Sequence, residues 1–424
     1  MRKTQPPWYK MNSAAVLYSA LQSEKYSATF RFSVLMTEPV DAAALQRAVD
    51  RTMPRFPGFA MRIRRGAFWH YLEPNLAPGP FVKEDVSDPC QPFRFEEDNH
   101  WLVRFYYYGR RISIEVFHAL SDGTGAIIFF RTLLAVYLRE LGYAIPNGGG
   151  VLDVDAPPLP EELEDAYSRY AGTHAKKISF SPRAFPNTGT PEPFYTFHVT
   201  MGFLPVDKLH ALAKENGASI TEYLAAVLIS VLLEQQRNRK SYRQRPVTLA
   251  VPVNLRAFFS TQTLGNFITT ISPGIDPEMG EYSFPEIVAQ VHNYMKLHTN
   301  RQELRSTITQ NVRLTQNPFV RVIPMSLKML LMAKSYRIQA VNPYSCTLTN
   351  VGPFRVPDEM APHIETMEVI LGQAVVPRPH CAAISYGNTM EITFAGTQKQ
   401  TDTEREFFRF LVRQGIPVRI ESNR

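Results

Sequence analysis

The sequence predicts an α/β (α+β) chain of two lobes, each a mixed β-sheet flanked by helices. Three observations carry this expectation. Strand-like and helix-like segments alternate in both halves, the pattern of strand–helix–strand units. A proline- and glycine-rich stretch separates the halves. At 424 residues the chain exceeds one typical domain, and 44% hydrophobic with 12% aromatic residues supplies large cores. The expected division is 1–145 for the first lobe, 146–193 for the connection and 194–424 for the second lobe.

In the first lobe, Ala28 to Met36 reads as a strand and Asp41 to Thr52 as a helix with Asp41 placed as its N-cap. Ala60 to Arg64 and Phe68 to Leu72 form a hairpin around Gly66, and Trp101 to Tyr108 meets Arg111 to Phe117 at Gly109-Arg110. From Gly123 the apolar run to Leu134 reads as a buried helix that fades at Gly142. The connection contains Gly148-Gly149-Gly150, Pro157-Pro158 and one short helix over Pro160 to Tyr170.

The second lobe opens with a strand over Phe194 to Leu204 and a helix from Val206 to Asn216 that ends at Gly217. Ser219-Ile220-Thr221-Glu222 is a helix-start signal for an apolar helix reaching about Gln236. Strands follow at Val247 to Val253 and Phe267 to Ser272, then two long helical stretches across Phe284 to Ser335. Late strands around 345–351, 364–371, 381–386 and 390–395 precede a final helix at Thr403 to Gln414. Ile323 to Ala333 (IPMSLKMLLMA) reads more readily as core than as an amphipathic surface helix or tunnel lid.

Ile112-Ser113-Ile114-Glu115-Val116-Phe117-His118-Ala119-Leu120-Ser121-Asp122-Gly123 is the segment richest in chemistry. An imidazole at a strand-to-helix corner is placed to act as a base in a cleft. Asp122 either orients that ring or caps the following helix, and capping is the better fit for an aspartate before Gly-Thr-Gly. Gly123 has no Cβ, so a reactant could approach its N–H at a helix N-terminus, a position suited to a developing oxyanion. A plain capped corner with a strand-end histidine is the bland alternative.

Net charge is +7, which suits a phosphate-bearing cofactor or an acidic carrier protein and does not by itself indicate nucleic acid. The densest basic run (Arg237, Arg239, Lys240, Arg243, Arg245) reads as a solvated helix end, with phosphate or carrier docking as the alternative. Cys90, Cys346 and Cys381 lie far apart and form no CxxC pair, which fits a reducing, cytoplasmic setting. Met11 to Leu21 is interrupted by Asn12, Ser13, Tyr18 and Ser19, so neither a signal peptide nor a membrane span is expected. The other nine histidines lack HExxH-type spacing, so no metal site is expected. No GxSxG elbow and no glycine-rich phosphate loop occur.

His118-Ala119-Leu120-Ser121-Asp122-Gly123 resembles the HxxxDG signature of the chloramphenicol-acetyltransferase-like superfamily, which includes condensation domains, wax-ester synthases and alcohol acetyltransferases. Val251-Pro252-Val253-Asn254-Leu255-Arg256 with Leu264-Gly265-Asn266-Phe267 is similar to the second-lobe "PVNLR … NF" pattern of alcohol-acetyltransferase-like proteins. Thr347 to Gly352 is similar to their late "SN-x-G" strand, although Asn350 with Gly352 also reads as turn chemistry. The resemblance implies two lobes with an active-site tunnel between them and His118 as the base that deprotonates an alcohol or amine attacking an acyl thioester. It implies acyl-CoA as co-substrate, or an acyl carrier protein as donor, with no permanently bound cofactor.

The aspartate matching Asp122 would pair with an arginine, for which Arg256 and Arg62 are the candidates. Asn254, Arg256 and Asn266 are expected at the lobe interface as substrate-binding groups. Their bland alternatives are a turn residue, a structural ion pair and a strand-start polar group. Phe117 stands where condensation domains and wax-ester synthases carry a second histidine, and no DFGWG segment is present, which favours an alcohol-acetyltransferase-like enzyme. A stand-alone condensation-type enzyme and a non-catalytic binding protein of the same fold stay open.

Overall fold

The computed structural model describes residues 9–21, 26–85, 88–175, 181–239, 243–373 and 376–424. The first lobe runs β1 (Tyr9–Lys10), α1 (Ser13–Leu21), β2 (Thr29–Met36), α2 (Ala42–Thr52), β3 (Met61–Arg65), β4 (His70–Pro74) and β5 (Val82–Glu84). It continues through β6 (Val103–Tyr108), β7 (Arg111–Phe117) and α3 (Gly123–Glu140). Short 3-10 turns and α4 (Ala166–Tyr170) punctuate the connection. The second lobe begins with β8 (His198–Pro205), α5 (Val206–Glu215), α6 (Ile220–Asn238), β9 (Val247–Asn254), β10 (Ile268–Ile271) and β11 (Gly274–Ile275). Then come α7 (Phe284–His298), α8 (Arg301–Gln316), α9 (Pro318–Val322), α10 (Met325–Tyr336), β12 (Cys346–Pro353), β13 (Ile364–Leu371), β14 (His380–Tyr386), β15 (Thr389–Gly396), α11 (Asp402–Arg413) and β16 (Arg419–Ser422).

Local chemistry explains most boundaries. Asp41 accepts from the Ala44 N–H and starts α2, and Ser219 with Glu222 forms a reciprocal capping box on α6. Gly217 follows α5 at φ +69°, a left-handed conformation that costs glycine little. The stretch expected as two long helices is four. Asn300 caps α8 through the Glu303 N–H, while Pro318 and Pro324 lack the donor a continuous helix would need. The strand expected from Phe194 begins at His198, because Phe194 sits at φ +55° in a 3-10 turn. Arg237, Arg239, Arg243 and Arg245 occupy the end of α6 and the approach to β9, and Lys240 lies outside the described residues.

Two mixed sheets carry the lobes. The first has the order β13–β2–β7–β6–β5, antiparallel except for β5 with β6. The second has the order β10–β9–β12–β14–β15–β8–β16, with β9, β12 and β14 parallel. A small third sheet joins β1, β4 and β3. One strand crosses the expected boundary. β13 lies in 194–424 by sequence yet pairs with β2 from Met367↔Val34 to Leu371↔Phe30. Met367 and Val369 enter the same apolar core as Phe30, Phe32 and Val34, and β13 covers an edge of β2 that would otherwise expose its ladder.

The core reading of 323–333 is also corrected. Leu327, Leu330 and Leu331 of α10 are exposed, while Lys328 is buried against the β3–β4 hairpin. Asn350 accepts from the Gly352 N–H where β12 shifts register against β14, so this pair forms a bulge.

Candidate active site

β7 delivers His118. Its last residue, Phe117, pairs with Thr29 of β2, and the His118 N–H extends that ladder by donating to the Ala28 carbonyl at 2.7 Å. The chain then turns, and Asp122 caps α3 by accepting from the Thr124 and Gly125 N–H groups, both at 3.1 Å. The imidazole is half-buried, stacked on Tyr18 of α1 at 4.3 Å and set edge-on to Phe30 of β2 at 4.8 Å. Neither ring was among the residues singled out from the sequence. Their role depends on α1 and β2 folding over the corner, which no local pattern announces.

Leu264, Asn266 and Phe267 of the second lobe grip this corner, and Gly265 between them is held by Arg256. The Ser121 hydroxyl donates to the Leu264 carbonyl at 2.6 Å, and the Gly265 carbonyl accepts from Arg256 Nη2 at 2.5 Å. Asn266 faces His118 twice, with Nδ2 donating to the His118 carbonyl at 2.7 Å and Oδ1 lying 3.2 Å from Nδ1. The Phe267 N–H donates to Asp122 Oδ2 at 2.7 Å. Since only the amide nitrogen of Asn266 serves a carbonyl, its oxygen is the atom facing the ring. The neutral imidazole therefore carries its proton on Nδ1 and leaves the Nε2 lone pair uncommitted to Asn266.

Burial is the main influence on His118 and pushes its pKa below the usual 6.5, against the opposing pull of Asp122 and of the Asn266 oxygen. Burial likewise pushes the Tyr18 hydroxyl far above its ordinary range, so the stacked ring is a neutral wall.

Asp122 is 1% exposed and completes its set of partners with Arg256 Nη1 at 2.7 Å. Of the two candidate arginines the structure selects Arg256. Arg62 instead pairs with Glu73 across the β3–β4 hairpin at 2.7 Å. Arg256 also donates from Nε and Nη2 to the Thr263 carbonyl, at 3.0 and 2.9 Å. Every nitrogen of its guanidinium thus has a protein acceptor, and Arg256 clamps Asp122. Asn254 is exposed, caps the turn that contains Arg256 and donates to Thr124 Oγ1 at 3.1 Å.

Gly123 of the motif and Gly125 just beyond it differ. A Cβ on Gly123 would meet only Phe32, at an ordinary 3.7 Å, and the cap leaves the Gly123 amide unengaged. A Cβ on Gly125 would collide with the Leu264 carbonyl and the Ser121 hydroxyl. Gly125, not Gly123, is therefore the residue that lets the second lobe close on α3. Beside the corner lies a cavity of about 90 Å³, lined by Ala15, Phe59, Ala119, Leu120, Leu264 and Gly265 among others, so both lobes wall it.

The architecture has close counterparts among solved structures. Polyketide synthase associated protein 5 from Mycobacterium tuberculosis superposes with a TM-score of 0.62, at 16% identity over 96% of this chain and 98% of that one. The trichothecene 15-O-acetyltransferase from Fusarium sporotrichioides gives 0.60, at 10% identity over 95% and 93%. The starter condensation domain of rhizomide synthetase, solved as a variant with C8-CoA, gives 0.59, at 12% identity over 95% and 94%. The chain has the condensation-domain and acetyltransferase fold. The sequence matches no family model and no curated protein. In this condensation-domain-like, chloramphenicol-acetyltransferase-like fold, the His118 corner stands where the two lobes meet.

Proposed function

We propose that the protein is an acyltransferase that moves an acyl group from a thioester to an alcohol or amine, with His118 as general base. The observation that carries this reading is the Asn266 contact, which holds the neutral ring with Nδ1 protonated and Nε2 available as a base. His118 Nε2 takes the acceptor's proton as its oxygen or nitrogen bonds to the thioester carbonyl carbon. The Gly123 amide, at the N-terminus of α3, donates to the developing oxyanion. As the adduct collapses the C–S bond breaks, and the thiolate takes the proton back from Nε2. The imidazole ends as it began, and the products are the ester or amide and a free thiol.

Asp122 and Arg256 act by holding the corner and the 264–267 segment together. Asn254 shares that work through Thr124. The fold shared with a C8-CoA-bound domain supports acyl-CoA as donor, and a carrier-bound acyl group presents the same thioester. A free-thiol assay across acyl-CoA lengths, with alcohols and amines as acceptors, tests the reading. Wild-type protein should release thiol only when an acceptor is present. His118→Ala should remain folded and lose the reaction, and undiminished turnover would refute the assignment.

A further inference from the structure

We propose that α9 and α10 form a docking face for an anionic lipid surface. The helix α10 carries apolar side chains on both its inward and its outward face. Its inward face carries Met325 and Lys328, with Met329, Met332 and Tyr336 partly buried. Its outward face carries Leu327 at 50% exposure, Leu330 at 68% and Leu331 at 47%. Val322 of α9 and Ile338, just past α10, extend the apolar stripe at 68% and 42%. An apolar ridge of this kind on a water-facing helix marks an interaction surface.

The inward lysine explains how the leucines are held outward. Lys328 Nζ donates to the Phe68 carbonyl at 2.7 Å and lies 3.6 Å from the centre of the Trp69 ring. The Met325 N–H donates to the Ala67 carbonyl at 2.9 Å, so α10 is fastened to the β3–β4 hairpin at two points. Rolling the helix to bury its leucines would break both attachments and expose the methionine side.

Charge selects the occupant. Between Glu303 and Asp358 the sequence has no Asp or Glu, while seven Arg and Lys residues fall in the same interval. Lys334 and Arg337 are exposed beside the leucine ridge. A ridge of aliphatic side chains flanked by cations, without carboxylates in its own segment, matches the apolar boundary and negative headgroups of a bilayer. Among the described residues no single helix is long and apolar enough to cross a membrane, so the attachment is peripheral. The helix that would meet lipid packs against α1, which carries the Tyr18 ring stacked on His118.

The test is co-sedimentation of the full chain with vesicles of phosphatidylcholine alone or with about a third phosphatidylglycerol. The expected result is binding to the anionic vesicles that weakens as salt is raised. Leu330→Glu with Leu331→Glu should reduce that binding at least about tenfold while the melting temperature stays unchanged. Lys334→Glu with Arg337→Glu, which leaves the leucines in place, should reduce binding to anionic vesicles only. Absence of binding to anionic vesicles, or binding by both variants equal to that of the wild type, would overturn the proposal. So would a dimer that the leucine variant dissolves without any vesicle binding, because the face would then belong to a second copy of the chain. Vesicle binding does not read acyl transfer, so this outcome is separable from that of the His118 assay.

Discussion

Replacing Asp122 by alanine removes a carboxylate that accepts from three backbone N–H groups (Thr124, Gly125 and Phe267) and from Arg256. Loss of the cap on α3 costs about 1 kcal/mol. The Phe267 N–H, buried in the interface, loses its partner for about 1–2 kcal/mol more. Arg256 keeps the Thr263 and Gly265 carbonyls but loses its anion, which adds about 1–2 kcal/mol, below the usual cost of breaking a buried pair. A total near 4 kcal/mol follows. Unfolding entropy of about 2.1 cal/mol/K per residue over this chain converts it to a fall of about 4–5 °C in Tm.

Arg256→Ala should cost less, about 2 kcal/mol, because Asp122 retains its three N–H donors. The double variant should fall short of additivity by at least about 1 kcal/mol, since the two residues share one interaction. Calorimetry and urea unfolding of the three variants provide the measurement. A Tm loss under about 1 °C for Asp122→Ala, or strict additivity in the double variant, would refute the clamp.

Four further outcomes follow from the structure. Asn266→Ala frees the His118 tautomer and leaves its carbonyl without the Asn266 donor, so kcat should fall about 10–100-fold with little change in KM, measured by thiol release. The acid limb of kcat/KM should lie below pH 6.5, because burial depresses the His118 pKa and the base stays neutral where a free imidazole would be charged. His70 is depressed too, and His380 is pushed down to about 3, chiefly by burial. The unfolded chain therefore takes up protons first, and stability should decline as pH falls below 6.5, as acid titration of the melting temperature will report. Gly123→Ala should leave Tm within about 1 °C, so any activity it loses reflects crowding of the reacting atoms, whereas Gly125→Ala should destabilise by about 1–3 kcal/mol through its collision with Leu264.

Much of the fold is legible because it rests on local rules. The alternation of Ile112, Ile114 and Val116 specifies β7, and caps such as Asp41, Ser219 and Asp122 mark helix starts through their own side chains. Departures arise where a distant partner decides. β13 joins the first sheet because β2 offers an open apolar edge, a fact about two segments separated by more than three hundred residues. Leu327, Leu330 and Leu331 read as core because hydrophobicity counts residues, whereas burial depends on which face Lys328 turns inward.

The site divides along the same line. By itself the sequence determined that an imidazole would end a strand and that an aspartate would start the next helix, because period, cap chemistry and helix propensity act within a few residues. Only the tertiary structure decided that Arg256 rather than Arg62 holds Asp122, that Asn266 sets the His118 tautomer, and that Tyr18 and Phe30 enclose the ring. Those assignments depend on hydrogen bonds and packing between lobes, and such contacts exist only once long stretches of chain have paid the entropy of coming together.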